Sequence, residues 1–232
     1  MITLRSLYVL LPARLRNHLR RWPVLSGWRN RYRANTARHD SFYDDAYYSA
    51  EFGRRGTARS SAPHLAEDIV SSLSPNSVID VGCGTGEYMF ALLERGVEVF
   101  GVDLSSVAIE LCQSSGLEVV KHDLTKPGQL PWTADVVFSC EVAEHLVPEA
   151  ADIFVEKLCT ASRHHVVLTA AGPRQPGNNH FNCQPKSYWI QKFEARNFKF
   201  DAVTTAKLEK RYATVGAAPW FQENLMIFRR IV

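Results

Sequence analysis

No apolar run in the 232 residues reaches the roughly 20 consecutive positions that a membrane-spanning helix requires. No internal repeat or low-complexity tract is present, which excludes solenoid and array architectures. Cysteine is sparse. The five thiols (Cys83, Cys112, Cys140, Cys159, Cys183) are odd in number and include no CxxC pair. That excludes a disulfide framework and a four-cysteine zinc site, and it points to reduced thiols in a cytoplasmic protein. Acidic residues are absent from positions 1–39, where nine arginines stand (Arg5, Arg14, Arg16, Arg20, Arg21, Arg29, Arg31, Arg33, Arg38). A short apolar patch, Leu7 to Leu11, runs into Pro12 and the arginines, with no signal-peptide cleavage pattern.

The remainder is a different kind of chain. With the arm set aside, 18 basic side chains face 24 acidic ones, so the formal net charge of +3 hides a mildly acidic body. At 46% hydrophobic and 22% charged residues the composition is that of a globular domain. The expected division is a basic N-terminal arm or lid over 1–61 and one α/β domain over 62–232. The arm reads as an amphipathic helix with solvated arginines, or as a peripheral contact to anionic lipid or a polyanionic substrate. An arginine-rich, acid-poor leader also resembles a transit peptide.

Periodicity organises the body. A polar loop through Gly53 and Gly56 to Ser61 precedes a helix over His64 to Leu73, whose Leu65, Ile69, Val70 and Leu73 share one face. Strands are expected at Ser77–Val81, Val97–Val102, Leu117–Lys121, Ala134–Cys140 and His165–Ala170. Helices are expected at Glu87–Arg95, Ser105–Ser115, Pro148–Ser162 and Pro185–Asn197. Such alternation predicts right-handed βαβ crossovers and a parallel sheet. Phe198–Thr205 and Gln222–Arg229 read as two last strands with no helix between them, an antiparallel pair at the sheet's edge.

The strongest motif is Val78-Ile79-Asp80-Val81-Gly82-Cys83-Gly84-Thr85-Gly86-Glu87. An apolar strand enters glycines that permit a tight turn and close approach of backbone to a ligand, and a helix follows. Asp103 ends the second strand, where a carboxylate can accept ribose hydroxyls, with Leu104 after it. Asp123 and Leu124 follow the third, suited to an adenine amine and ring. A nicotinamide dehydrogenase combines similar parts, but its turn is GxGxxG with a pyrophosphate on the helix N-terminus. Here the spacing is GxGxG, and Glu87 would repel a pyrophosphate. A sulfonium cation suits an acidic turn.

These residues resemble the class I S-adenosylmethionine-dependent methyltransferases. The resemblance implies an α/β fold: a doubly wound, seven-stranded, mostly parallel sheet with an antiparallel last strand. It further implies cofactor contacts from Asp80, Gly82, Cys83, Gly84, Gly86, Asp103, Leu104, Asp123, Leu124 and Cys140.

After the fourth strand comes Glu141-Val142-Ala143-Glu144-His145, and His180 follows the fifth. If a helical turn begins at 141, then Glu141, Glu144 and His145 face one way. Carboxylates and imidazoles so placed could hold Mg²⁺ or Mn²⁺ and activate an acceptor hydroxyl. The ExxEH pattern with a later histidine is similar to the metal site of small-RNA 2′-O-methyltransferases, and in part to ubiquinone-type O-methyltransferases. Glu-His pairs at this place also occur in members that use no metal. Of the candidate catalytic residues His180, His145 and Glu144, the pair Glu144 and His145 then orients a loop, or His145 touches cofactor or substrate, and His180 is a general base or a satisfied loop histidine.

The residues from His180 to Pro185 and Tyr188-Trp189, with the arm and Asn224-Leu225-Met226, resemble bacterial methyltransferases of saccharide or secondary-metabolite pathways. The resemblance implies O-methylation of a hydroxyl on a small or oligosaccharide acceptor. Tyr188 and Trp189 read as core or as a sugar platform. An acidic body without a nucleic-acid module argues against RNA. A phenolic acceptor, or an inactive cofactor-binding subunit, are the other readings.

Overall fold

The computed structural model describes residues 57–231 except 176 and 178, so the arginine-rich arm up to residue 56 lies outside the described residues. The chain enters through helix α1 (Thr57–Leu73). Residues 57–61, expected as loop, are helical because this turn packs. Ser61 and Ala62 are buried, and Ser61 Oγ accepts from the Ala218 amide at 2.9 Å. The expected division between 61 and 62 therefore falls inside a helix. Among the described residues no helix is long and apolar enough to cross a membrane.

Strands β1 (Ser77–Val81), β2 (Glu98–Asp103), β3 (Val119–Lys121), β4 (Ala134–Cys140) and β5 (Ser162–Thr169) follow, with α2 (Glu87–Leu93), α3 (Ser106–Ser114) and α4 (Ala151–Ala161) between them. The chain continues through α5 (Lys186–Glu194), β6 (Phe198–Phe200), α6 (Ala202–Val215), α7 (Pro219–Asn224) and β7 (Leu225–Arg230). The sheet order is β3-β2-β1-β4-β5-β7-β6. Strands β1 to β5 pair in parallel, and β7 is inserted antiparallel between β5 and β6.

The expectation of no helix between the last two strands is incorrect, since α6 and α7 both lie there. The β-branched run Val203-Thr204-Thr205 reads as strand, but Asp201 caps a helix instead. Its Oδ1 accepts from the Thr204 amide at 3.0 Å, and Gly216 closes the other end in the left-handed region. Thr205, Leu208 and Tyr212 form the buried face of α6. That burial outweighs the weak strand propensity.

Alternation along the central strands splits the core across the sheet. Val136 and Phe138 face the α1, α2, α6 and α7 layer, while Val137 faces the α4 and α5 layer. Each such fully buried side chain contributes about 1.5–3 kcal/mol. Trp189 is completely buried in the second layer, with its ring edge-on to Phe154 and Tyr188. It is core, and no sugar platform. The order reverses between β1 and β4, and their carboxyl ends open the crevice where α/β sheets bind ligands.

Candidate active site

The glycine turn is built by backbone conformation. Gly82, Gly84 and Gly86 all have positive φ, at 78°, 52° and 79°. A Cβ on Gly82 would strike Val142, and one on Gly86 would strike Leu117, so glycine is required for space as well as for torsion. Asp103 fastens the turn from the neighbouring strand. Its Oδ2 accepts from the Gly84 amide at 2.9 Å and its Oδ1 from the Ser105 amide at 2.8 Å. The two thiols beneath the turn, Cys83 and Cys112, both approach the Gly84 carbonyl.

The other expected cofactor residues sit along the same edge of the sheet. Asp80 is buried, with neither carboxylate oxygen hydrogen-bonded among the described residues. Burial first, then the charge of Asp103, pushes it up to about 8. Leu104 is half-buried just past β2. Asp123 Oδ1 accepts from the Thr125 amide and hydroxyl at 2.8 and 2.6 Å. Leu124 is packed into the core. Cys140 Sγ lies 3.6 Å from Tyr88 Oη and 3.4 Å from Thr169 Oγ1. The motif reading missed Lys157, which is buried on α4 and donates to Gly128 O at 2.6 Å beside His122 Nε2 at 2.8 Å. It pins the loop that carries Asp123. In the sequence Val155-Glu156-Lys157-Leu158 nothing sets this lysine apart from one on a solvated face.

The second cluster lies past β4 and β5. Ala143–His145 forms a single 3₁₀ turn. Glu144, His145 and His180 offer ligand atoms that all lie within 4.8 Å of one another. Both oxygens of Glu144 are buried without a hydrogen-bond partner among the described residues. Burial, then the charge of Glu141, raises its carboxyl well above the usual carboxylate range. The imidazole of His180 stands edge-on to that of His145, with centroids 4.9 Å apart. Burial lowers its pKa, so at neutral pH it is an unprotonated base.

One expected ligand is not in this group. Glu141 precedes the 3₁₀ turn with φ of 53°, outside any helical face, and its carboxylate accepts from Gln175 and Asn224. The expected helical turn from 141 is therefore corrected to one that begins at 143, while the carboxyl of Glu141 still lies near enough to raise that of Glu144. The donors that remain are one carboxylate and two imidazoles. Such a set suits Mn²⁺ or another first-row ion better than oxygen-seeking Mg²⁺.

Residues 78–164 match the family model described as Methyltransferase domain. Together with the strand order and the glycine turn, this makes the fold that of the class I methyltransferases. A magnesium protoporphyrin IX methyltransferase from Synechocystis PCC 6803 with bound SAM shares it at 17% identity and a TM-score of 0.58, over 82% of this chain and 96% of that one. SAM-bound CalS10, an amino pentose methyltransferase of Micromonospora echinaspora involved in calicheamicin biosynthesis, shares it at 14% identity and 0.61, over 81% and 98%. In sequence, the ubiquinone biosynthesis O-methyltransferase of Nitrosomonas europaea is 35% identical over 94 residues. That match covers 38% of this chain and 40% of the relative, so the chain spans well under half the length of the curated relatives it matches.

Proposed function

We propose that this chain is an S-adenosylmethionine-dependent O-methyltransferase that acts on a hydroxyl of a saccharide or similar polyhydroxylated small molecule. The observation that carries the reading is the convergence of Glu144, His145 and His180 at the carboxyl edge of the sheet. The glycine turn, whose Gly82 lies against Val142, would hold the methionine portion of the cofactor, and Asp103 the ribose. Asp123, at the end of β3, would meet the adenine.

In-line displacement at a sulfonium needs alignment and a deprotonated acceptor. In the metal-free form of the site, His180, neutral at pH 7, takes the acceptor's hydroxyl proton. The oxygen forms its bond to the methyl carbon as the carbon–sulfur bond breaks, and S-adenosylhomocysteine leaves. Alternatively, Glu144, His145 and His180 would hold a divalent ion, Mn²⁺ in preference to Mg²⁺, with His180 then a ligand and no longer the base. When bound, such an ion supplies a Lewis acid that acidifies and orients a hydroxyl.

The amino pentose specificity of CalS10 supports a sugar acceptor. A phenolic acceptor is the second reading, favoured by the partial match to a ubiquinone biosynthesis O-methyltransferase. An RNA acceptor finds less support in a body that is net acidic, and an inactive subunit would have no use for a buried carboxylate beside two imidazoles.

Turnover of S-adenosylmethionine with methyl glycosides and with catechol as probes, with and without EDTA, separates these readings. Glu144→Ala and His180→Ala should each lose about 100-fold or more in turnover. Both should bind S-adenosylhomocysteine as the parent does. Normal turnover by both variants would put the chemistry elsewhere, and full activity in EDTA would remove the metal.

A further inference from the structure

Glu141 is the residue that the metal-binding pattern claims and the geometry withholds. Its Oε2 accepts from Gln175 Nε2 at 2.9 Å and its Oε1 from Asn224 Nδ2 at 2.9 Å. Asn224 Nδ2 also donates to Gln175 Oε1 at 2.8 Å, which closes a ring of three side chains. Asn224 is buried at the junction of α7 and β7. Glu141 is itself fixed. Its amide bonds Thr169 Oγ1 at 2.9 Å and Thr169 O at 3.2 Å, and its φ of 53° is a conformation held only where the surroundings over-determine it.

Gln175 belongs to the segment between β5 and α5 that carries His180, so the ring ties that segment to β4 and β7 on one side of the imidazole. On the other side, the Phe181 and Asn182 amides donate to the carbonyl of Glu144 at 2.7 and 3.0 Å. Gly177 passes so close to His180 that a Cβ there would collide with the ring. The imidazole is thus held between two anchors, one of which is the ring. Both Glu141 oxygens are engaged, whereas Glu144, three residues on, has neither oxygen hydrogen-bonded among the described residues.

We infer that Glu141, Gln175 and Asn224 are positioning residues: they set His180 against Glu144 and His145 and do not themselves bind metal or substrate. This rests on the proposed reading of the Glu144–His145–His180 cluster. Outer partners of this kind orient first ligands and carry about 10–100-fold in affinity or activity. The ring also explains how residues from three distant parts of the chain share one function.

The test uses the full chain and two readouts: the histidine-ring ¹⁵N–¹H correlations of His145 and His180 without ligand, and titration with Mn²⁺. The variants are Gln175→Ala, Asn224→Ala, Glu144→Ala and Glu141→Gln. Gln175→Ala and Asn224→Ala are expected to displace the His180 ring signals and weaken Mn²⁺ about tenfold. Glu141→Gln, which puts an amide against the Asn224 or Gln175 donor, should do the same. Unmoved His180 signals in both alanine variants would overturn the assignment. So would a Glu141→Gln variant that loses Mn²⁺ as completely as Glu144→Ala while its His180 signals stay in place, because Glu141 would then be a ligand. A parent chain that neither binds Mn²⁺ nor methylates either probe counts against the proposed function, and the ring signals still decide the positioning role.

Discussion

Asp80 stands at the penultimate position of β1 with 1% exposure, and its pKa of about 8 means that it holds a proton at neutral pH. A carboxyl whose folded pKa exceeds the unfolded value of 3.8 binds more protons in the folded state between those two values. Its contribution to stability is therefore intact below pH 3.8 and is lost as pH rises toward 8. Asp80→Asn keeps the shape and removes the titration. The ligand-free variant should gain on the parent progressively across that window, by at least about 1.4 kcal/mol, the equivalent of one pKa unit. Urea melts at several pH values measure the difference, and parallel profiles would refute it. The same proton should leave when a cationic cofactor binds near the turn. The enthalpy of S-adenosylmethionine binding at pH 7 should then differ between buffers of different ionisation enthalpy.

At the level of elements, what could be read in the sequence depended on how local the cause was. Strands β1 and β4 fall where expected, since runs such as Ser77–Val81 are buried along their whole length and end in glycine or a polar turn. The glycine turn was legible because the requirement for positive φ is written in residue type. Helix α6 was not, because its β-branched start conceals a cap that only the packing of Leu208 and Tyr212 makes decisive. At the site, residue types pointed to Glu144, His145 and His180. The orientation of Glu141 depends on Asn224, 83 positions away, and on Gln175, 34 away, and no spacing rule reaches that far.

The glycines allow a controlled comparison. Gly86 and Gly96 have nearly equal φ, 79° and 77°, but a Cβ at Gly86 meets Leu117 and Cys112, while at Gly96 nothing lies within 4 Å. Gly96→Ala should cost about 1–2 kcal/mol for the left-handed backbone alone. At roughly 2–4 °C per kcal/mol, Tm should fall by a few degrees, with S-adenosylhomocysteine affinity unchanged. Gly86→Ala carries the same backbone cost and must also displace Leu117 at the cofactor turn. Its affinity should fall at least about tenfold, or 1.4 kcal/mol. Equal affinities in the two variants would remove Gly86 from the cofactor surface.

Across the whole molecule, function and stability occupy opposite ends of the sheet. All the candidate groups, from Gly82 to Asn224, lie at the carboxyl ends of the parallel strands or just beyond them. At the other end, Arg230 closes the structure. Its guanidinium donates to the carbonyls of Cys159, near the end of α4, and Ser162, at the start of β5, and it lies 4.6 Å over the Phe198 ring. The last turn of a helix leaves carbonyls without intrahelical donors, and here an arginine from the antiparallel strand supplies the missing bond to the Cys159 carbonyl. One side chain thus joins α4 to β5, β6 and β7, the last three strands of the sheet in chain order.

Arg230→Met keeps much of the stem's packing and removes the donors. Charge-assisted hydrogen bonds contribute about 1.5–3 kcal/mol each, and part of that returns through water at this partly exposed site, so a net loss of about 2 kcal/mol is expected. For a domain of this size that is a fall in Tm of roughly 4–8 °C. S-adenosylhomocysteine affinity should stay within about twofold, because no bond of Arg230 reaches the crevice. A variant that melts with the parent would show that the last strand is held by burial alone. One that melts normally but binds the cofactor poorly would mean that the two ends are coupled through β5 and β7, the strand pair that runs from Arg230 to Asn224.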